Sequence, residues 1–111
     1  MNVEWYPQAL EGRKMVADYI RCRFGFKHKR KFNQEVDQAV RMIKKHPSVG
    51  PVEPLLADRV STYRSLVVDK LSKIVYRVDD DTIHIVDFWD CRREPKALAD
   101  EVTSFLRHTF L

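Results

Sequence analysis

Hydrophobic positions recur at helical spacing in the first half of the chain. Residues 2–6 alternate apolar and polar side chains and stop before Pro7, which predicts a short first strand. From Pro7 to about Phe24 the apolar positions follow one helical face, and Gly25 is a residue type that commonly ends a helix. A second amphipathic helix is closed by Pro47. Its apolar stripe consists of Phe32, Val36, Ala39, Val40 and Ile43. Two helices joined by a short loop predict a helical hairpin.

The second half of the chain changes to the alternating pattern of strands. Three strands are predicted, at residues 63–68, 73–78 and 82–89, and turns as short as those between them imply an antiparallel meander. A last helix opens at residues 93–95. Its predicted buried face consists of Leu98, Val102, Phe105 and Leu106. The order β-α-α-β-β-β-α predicts an α+β fold, one domain over residues 1–111, with the hairpin packed on one face of an antiparallel sheet.

Alternation divides the side chains of the second predicted meander strand between two faces. The face assigned to the core carries Ile74, Tyr76 and Val78. The other face carries Lys73, Val75 and Arg77. We expect Arg64 of the preceding strand to share the open face with Lys73, while Arg92 and Arg93 leave the third strand where a loop can turn them toward it. The sheet is thus predicted to present a polyanion-binding surface. The alternative, that these cations only solvate an uncovered sheet, stays open.

Composition indicates a soluble globular protein. The hydrophobic fraction is 44% and the charged fraction 32%. The sequence contains no run of the roughly 20 apolar residues that spans a membrane, and its N-terminus does not resemble a signal peptide, so we expect a cytoplasmic protein without membrane partners. A net charge of +4 and a pI near 9.2 favour an anionic partner, either nucleic acid or an acidic protein.

Several further residues are candidates for contacting nucleic acid. Lys29 and Arg30, in the basic run 27–31, could bind a phosphate backbone, and Trp89 could stack on a base, although a solvated charge run and a packed tryptophan are the ordinary alternatives. His84 lies within a strand and is more commonly structural at such a position. The sequence contains no Cys/His cluster with metal-site spacing, so we expect neither a metal nor a cofactor.

Four segments in order resemble the RelE/ParE superfamily of toxins from bacterial type II toxin–antitoxin modules: HPSVGP before the meander, then YRSLVV, KIVYRV and IHIVDFWDCRREP. The resemblance covers most of the chain. It implies the toxin half of such a module, neutralised by a cognate antitoxin. RelE-like members cut ribosome-bound mRNA without a metal, and ParE-like members inhibit DNA gyrase with no known catalytic centre.

The ribonuclease pattern transfers only in part. Its cations correspond to Arg64, Lys73 and Arg93, which the resemblance assigns as catalytic, with Lys73 the one candidate for moving a proton. A further cation of the pattern is replaced by Leu66. Its C-terminal tyrosine has no counterpart at Leu98 and Ala99. The expected nucleic-acid contacts are Arg92, Arg77, Lys29, Arg30 and Trp89. The resemblance therefore implies a metal-independent endoribonuclease, with a gyrase inhibitor, or a non-toxic relative that only binds its antitoxin, as alternatives.

Overall fold

The computed structural model describes residues 1–91. Two helices and four strands follow the predicted order: β1 (Asn2–Trp5), α1 (Pro7–Phe24), α2 (Phe26–Lys45), β2 (Arg64–Val68), β3 (Ser72–Asp79) and β4 (Thr82–Asp90). A single 3₁₀ turn, Pro54–Leu56, precedes β2. The predicted last helix, together with Arg92, Arg93, Leu98 and Ala99, lies outside the described residues. The helical hairpin and the meander are confirmed.

The sheet has the strand order β1-β4-β3-β2. Strands β2, β3 and β4 pair antiparallel as predicted, but β1 runs parallel to β4, with Val3 opposite Ile83. The sheet is therefore mixed rather than antiparallel throughout. A four-residue strand carries no sequence signal for its partner, because the pairing spans about eighty residues of chain and depends on where the hairpin returns.

Both helices pack on one face of the sheet, where they form the main core. Its buried members include Ala9, Val16, Ile20, Phe32, Val36 and Ile43 from the helices, with Ile74, Tyr76, Ile83, Ile85 and Phe88 from the sheet. Helix α1 lies directly on β4, because a Cβ added at Gly12 would come within 2.3 Å of the Phe88 carbonyl oxygen. Glycine at position 12 therefore fixes the distance between helix and sheet. Val78, predicted to be in the core, is 38% exposed near the end of β3.

The other face of the sheet, which we call the outer face, was expected to be open. It is partly covered by a second buried cluster. This cluster consists of Leu56, Tyr63, Val75, Val86 and Trp89. Leu56 belongs to the 3₁₀ turn, so the segment between α2 and β2 packs onto the sheet instead of looping into solvent. Within β4, Val86 is an extra residue of a β-bulge, since Ile85 pairs with Tyr76 and Asp87 pairs with Val75.

Candidate functional site

Arg64 and Lys73, two of the three cations predicted to be catalytic, do not converge. Residues directly opposite each other in an antiparallel pair project to the same face. Arg64 is opposite Tyr76, on the helix-covered face, whereas Lys73 is opposite Val67, on the outer face. The expectation that Arg64 and Lys73 share one surface is therefore wrong. The turn between β2 and β3 sets this register, and simple alternation across two strands did not determine it.

The side chain of Arg64 forms a hydrogen bond with the loop that follows α2. Its Nη1 donates to the carbonyl oxygen of Gly50 at 3.0 Å. Tyr76 holds the same loop from the sheet, because its hydroxyl donates to the Pro47 carbonyl at 2.7 Å and accepts from the Gly50 amide at 3.0 Å. Burial raises the pKa of Tyr76 above its ordinary value of 10.0, so the phenol stays protonated and keeps donating. These contacts give Arg64 a structural partner on the helix side.

Lys73 is paired with a buried carboxylate. Its Nζ lies 2.7 Å from Oε2 of Glu53, whose side chain is 1% exposed. Burial alone would raise the pKa of Glu53. Hydrogen bonds from Lys73 and Ser65, the charge of Lys73 and the amide of Leu55 outweigh burial and lower that pKa below 4.5. Lys73, the candidate for moving a proton, is thus bound to an anion in this structure.

A polar cluster from three strands occupies the outer face beside β1. The Tyr6 hydroxyl lies 2.9 Å from Nδ1 of His84 and accepts from Nη2 of Arg77 at 3.3 Å. The carboxylate of Glu4 approaches the same His84 nitrogen at 3.6 Å, and Arg77 also reaches Asp79 at 3.5 Å. The side chains of Arg77 and His84 are only 13% and 15% exposed. We call Glu4, Tyr6, Arg77 and His84 the outer-face cluster.

The outer-face cluster combines a cation with groups able to exchange protons. From the sequence, Arg77 was predicted to contact nucleic acid and His84 to be structural. That the two side chains lie in the same cluster was not predicted. The signal that links them is the register, since His84 stands opposite both Arg77 and Glu4. Tyr63 borders the cluster, and burial raises the pKa of its hydroxyl although the nearby Arg77 charge acts to lower it. Chemically, these groups can hold an anion or tie β1 to the rest of the sheet.

Trp89 does not offer a stacking platform. It is 2% exposed and belongs to the second cluster, so the prediction that it binds a base is corrected. Trp89 packs with Leu56 of the 3₁₀ turn, and this turn left no periodic signal in the sequence. Lys29 and Arg30 lie in the first turns of α2. Arg92 and Arg93 lie outside the described residues, so their predicted roles stay predictions.

The residues the structure describes contain no group of three or more His, Cys, Asp or Glu side chains placed to hold a metal ion. Over the same residues, neither helix is long and apolar enough to cross a membrane.

Comparison with solved structures defines the class of the fold. A structure described as the chromosomal ParDE TA system from P. aeruginosa superimposes with a TM-score of 0.66 at 18% identity, covering 81% of this chain and 95% of that one. The YoeB dimer from Staphylococcus aureus gives a TM-score of 0.54 at 22% identity, covering 78% and 92%. At these identities the likeness establishes a shared fold, the RelE/ParE type.

The family follows from the sequence itself. The model of the ParE toxin of the type II toxin–antitoxin system parDE matches residues 3–95. The chain therefore belongs to the ParE toxin family, within the RelE/ParE superfamily of type II toxins. Among curated protein sequences, none matches this chain.

Proposed function

We propose that this toxin acts by binding and inhibiting DNA gyrase, as ParE-like toxins do, rather than by cleaving RNA. One observation carries the proposal: Arg64 and Lys73 lie on opposite faces of the sheet, and each is bound to a structural partner. Cleavage of RNA by its own 2′-hydroxyl needs a base, an acid and charge stabilisation around a single phosphate. Two cations separated by the thickness of the sheet cannot serve the same phosphate.

The ion pair between Lys73 and Glu53 supports the same proposal. Its ammonium group neutralises Glu53, and moving it toward a substrate would leave a carboxylate buried without a counter-charge. Such a group is costly to leave unpaired. Leu66 adds to this argument, because an apolar residue partly buried against the core stands where the ribonuclease pattern carries a cation.

A specific partner protein is part of the proposal. The P. aeruginosa relative is a ParDE system, a toxin–antitoxin pairing by its description. We infer that this chain is likewise neutralised by a cognate antitoxin and that it acts in the cytoplasm, where gyrase meets chromosomal DNA. A non-toxic chain that only binds its antitoxin would still form this complex but would not inhibit gyrase.

Ribosome-dependent RNA cleavage is the second candidate, and one observation favours it. The outer-face cluster places His84, Tyr6 and Arg77 within hydrogen-bonding contact, which supplies an acid–base group beside a cation. A nuclease built on this chain would therefore use His84 and Arg77 rather than Arg64 and Lys73. Their low exposure requires the cluster to open before RNA could enter.

Expression of the chain without its antitoxin separates the two candidates. We expect plasmid DNA to lose negative supercoils within the first minutes of growth arrest, while transcripts stay full-length. The two readouts are plasmid topoisomers on chloroquine gels and 5′-end mapping of total RNA. New, translation-dependent transcript ends preceding any change in topoisomers would contradict the proposal.

A pair of variants assigns the activity to a site. His84→Asn removes the imidazole from the outer-face cluster and keeps a polar group near the position of Nδ1. Glu53→Gln/Lys73→Met removes the outer-face lysine without leaving a buried charge. Both variants are expected to remain toxic and to relax plasmids. If His84→Asn abolished new transcript ends, the second candidate would replace the first.

A further inference from the structure

The positive charge of this protein is concentrated in one short segment of the chain. Residues 21–31, which we call the hairpin tip, contain six lysines and arginines and no acidic residue. The tip cations are Arg21, Arg23, Lys27, Lys29, Arg30 and Lys31. The whole chain has 20 basic and 16 acidic residues, so the remainder has 14 basic against 16 acidic and is net negative. The tip alone makes the protein basic.

The fold brings these cations together from two helices. Helix α1 ends at Phe24 and α2 begins at Phe26, so Gly25 is the whole connection. Gly25 has a φ of 95°, a conformation that glycine adopts at little cost and other residues rarely adopt. The last turn of α1, with Arg21 and Arg23, therefore adjoins the first turns of α2. The basic run at residues 27–31 is helical and forms the start of α2.

Stabilisation of the fold does not account for the α2 cations. The first turn of α2 contains no acidic residue, and no side chain caps it. The positive end of the helix macrodipole lies there, so Lys27, Lys29 and Arg30 stand where anions are favoured. Between described residues, the tip makes one ion pair, Lys29 with Asp18 at 3.9 Å. With a single ion pair to other described residues, the tip cations are instead able to bind an external anion.

Exposed aromatic rings lie among the tip cations. Phe24 and Phe26 are 58% and 67% exposed. The guanidinium of Arg21 lies 5.1 Å from the Phe26 ring, and the His28 ring lies 5.7 Å from that of Phe24. A pocket of about 450 Å³ at the start of α2 is lined by Lys27, His28, Arg30, Lys31 and Gln34. Cations interleaved with aromatic rings are the composition of surfaces that follow a nucleic-acid strand.

We propose that the hairpin tip binds the phosphodiester backbone of a nucleic acid. Residues 21–31 carry six cations and no carboxylate, and the carboxylates near them include Asp18, which pairs with Lys29, and Glu35 and Asp69, which line a pocket with Lys31. A cation excess of this density matches the repeating anion of a phosphate backbone. The proposal goes beyond inhibition of gyrase and does not depend on it, because the tip is remote in sequence from the sheet residues discussed above. Duplex DNA and single-stranded RNA share this backbone, and the experiment tests both.

The test compares two triple variants of the full-length chain that carry the same net charge. The tip variant is Lys27→Gln/Arg30→Gln/Lys31→Gln. The control variant is Lys14→Gln/Arg41→Gln/Lys45→Gln, at exposed helical positions elsewhere. Fluorescence anisotropy with a labelled DNA duplex and a labelled single-stranded RNA is recorded over a series of salt concentrations. Glutamine is a good helix former, and thermal unfolding of each variant checks that it folds.

For duplex DNA we expect the slope of log K against log salt to become shallower by about 2.7 in the tip variant, and to stay unchanged in the control. Loss of the RNA slope alone would assign the surface to single strands and still support the proposal. Equal losses in both triple variants, or a tip variant that binds like the parent chain, would overturn it. Were the tip variant to unfold, the single substitutions Lys27→Gln and Arg30→Gln should each reduce the slope by about 0.9.

Discussion

Replacing Lys73 with methionine is expected to lower the free energy of unfolding by about 3–5 kcal/mol. The variant leaves Glu53 buried at 1% exposure without its counter-charge, while the hydrogen bonds from Ser65 and the Leu55 amide remain. A loss of this size is a large fraction of the about 5–15 kcal/mol that stabilises a small domain. Urea denaturation at neutral pH measures the difference.

The contribution of Glu53 to the pH dependence of stability should weaken in the same variant. In the parent chain the pKa of Glu53 is below 4.5, so its contribution is present above that value and is lost as the pH falls through the folded pKa. In Lys73→Met, burial, the largest influence on this pKa, is opposed by the hydrogen bonds from Ser65 and the Leu55 amide, so we expect the folded pKa to rise and acidification to cost less stability than in the parent chain. The double variant Glu53→Gln/Lys73→Met should be more stable than Lys73→Met. If the single variant were as stable as the parent, Lys73 would be a surface cation.

Replacing Trp89 with alanine is expected to cost about 3–5 kcal/mol in the free energy of unfolding. Trp89 is 2% exposed and packs with Leu56, Tyr63, Val75 and Val86, so the substitution opens a cavity beneath the 3₁₀ turn. Chemical denaturation followed by circular dichroism is suitable, because Trp5 would complicate a fluorescence signal. The matched control is Trp89→Phe, which keeps most of the apolar volume and should cost clearly less.

A tryptophan that stacked on bases would behave differently. Its replacement by alanine would change stability by no more than about 0.5 kcal/mol, as at an ordinary surface position, and would weaken RNA binding. That outcome would restore the role predicted from the sequence and would remove the second cluster as a structural unit.

The sequence predicted the elements well because their signals are local. The apolar stripe containing Phe32, Val36 and Ile43 identified α2, and alternation identified β3 and β4. The parallel pairing of β1 with β4 was not predictable, because it depends on contacts about eighty residues apart. The β-bulge at Val86 coincides with a break in the alternation, where Ile85 and Val86 are adjacent apolar residues, but such a break does not by itself identify a bulge.

The candidate site was less predictable because the partners of its cations come from an irregular segment. Gly50 and Glu53 lie between α2 and β2, where no periodicity indicates which side chain points inward. Resemblance identified Arg64 and Lys73 as notable positions, but only the hairpin register separates them onto opposite faces. The basic run at the hairpin tip was visible directly, since charge is a property of composition. The one-residue connection that places this run beside the last turn of α1 was not.

The most direct measurement is a supercoiling assay with purified DNA gyrase and the purified full-length chain, run beside translating ribosomes carrying a labelled mRNA. We expect the chain to block supercoiling in proportion to its concentration and to leave the ribosome-bound mRNA full-length. Supercoiling at an unchanged rate together with cleavage of the labelled mRNA would contradict it.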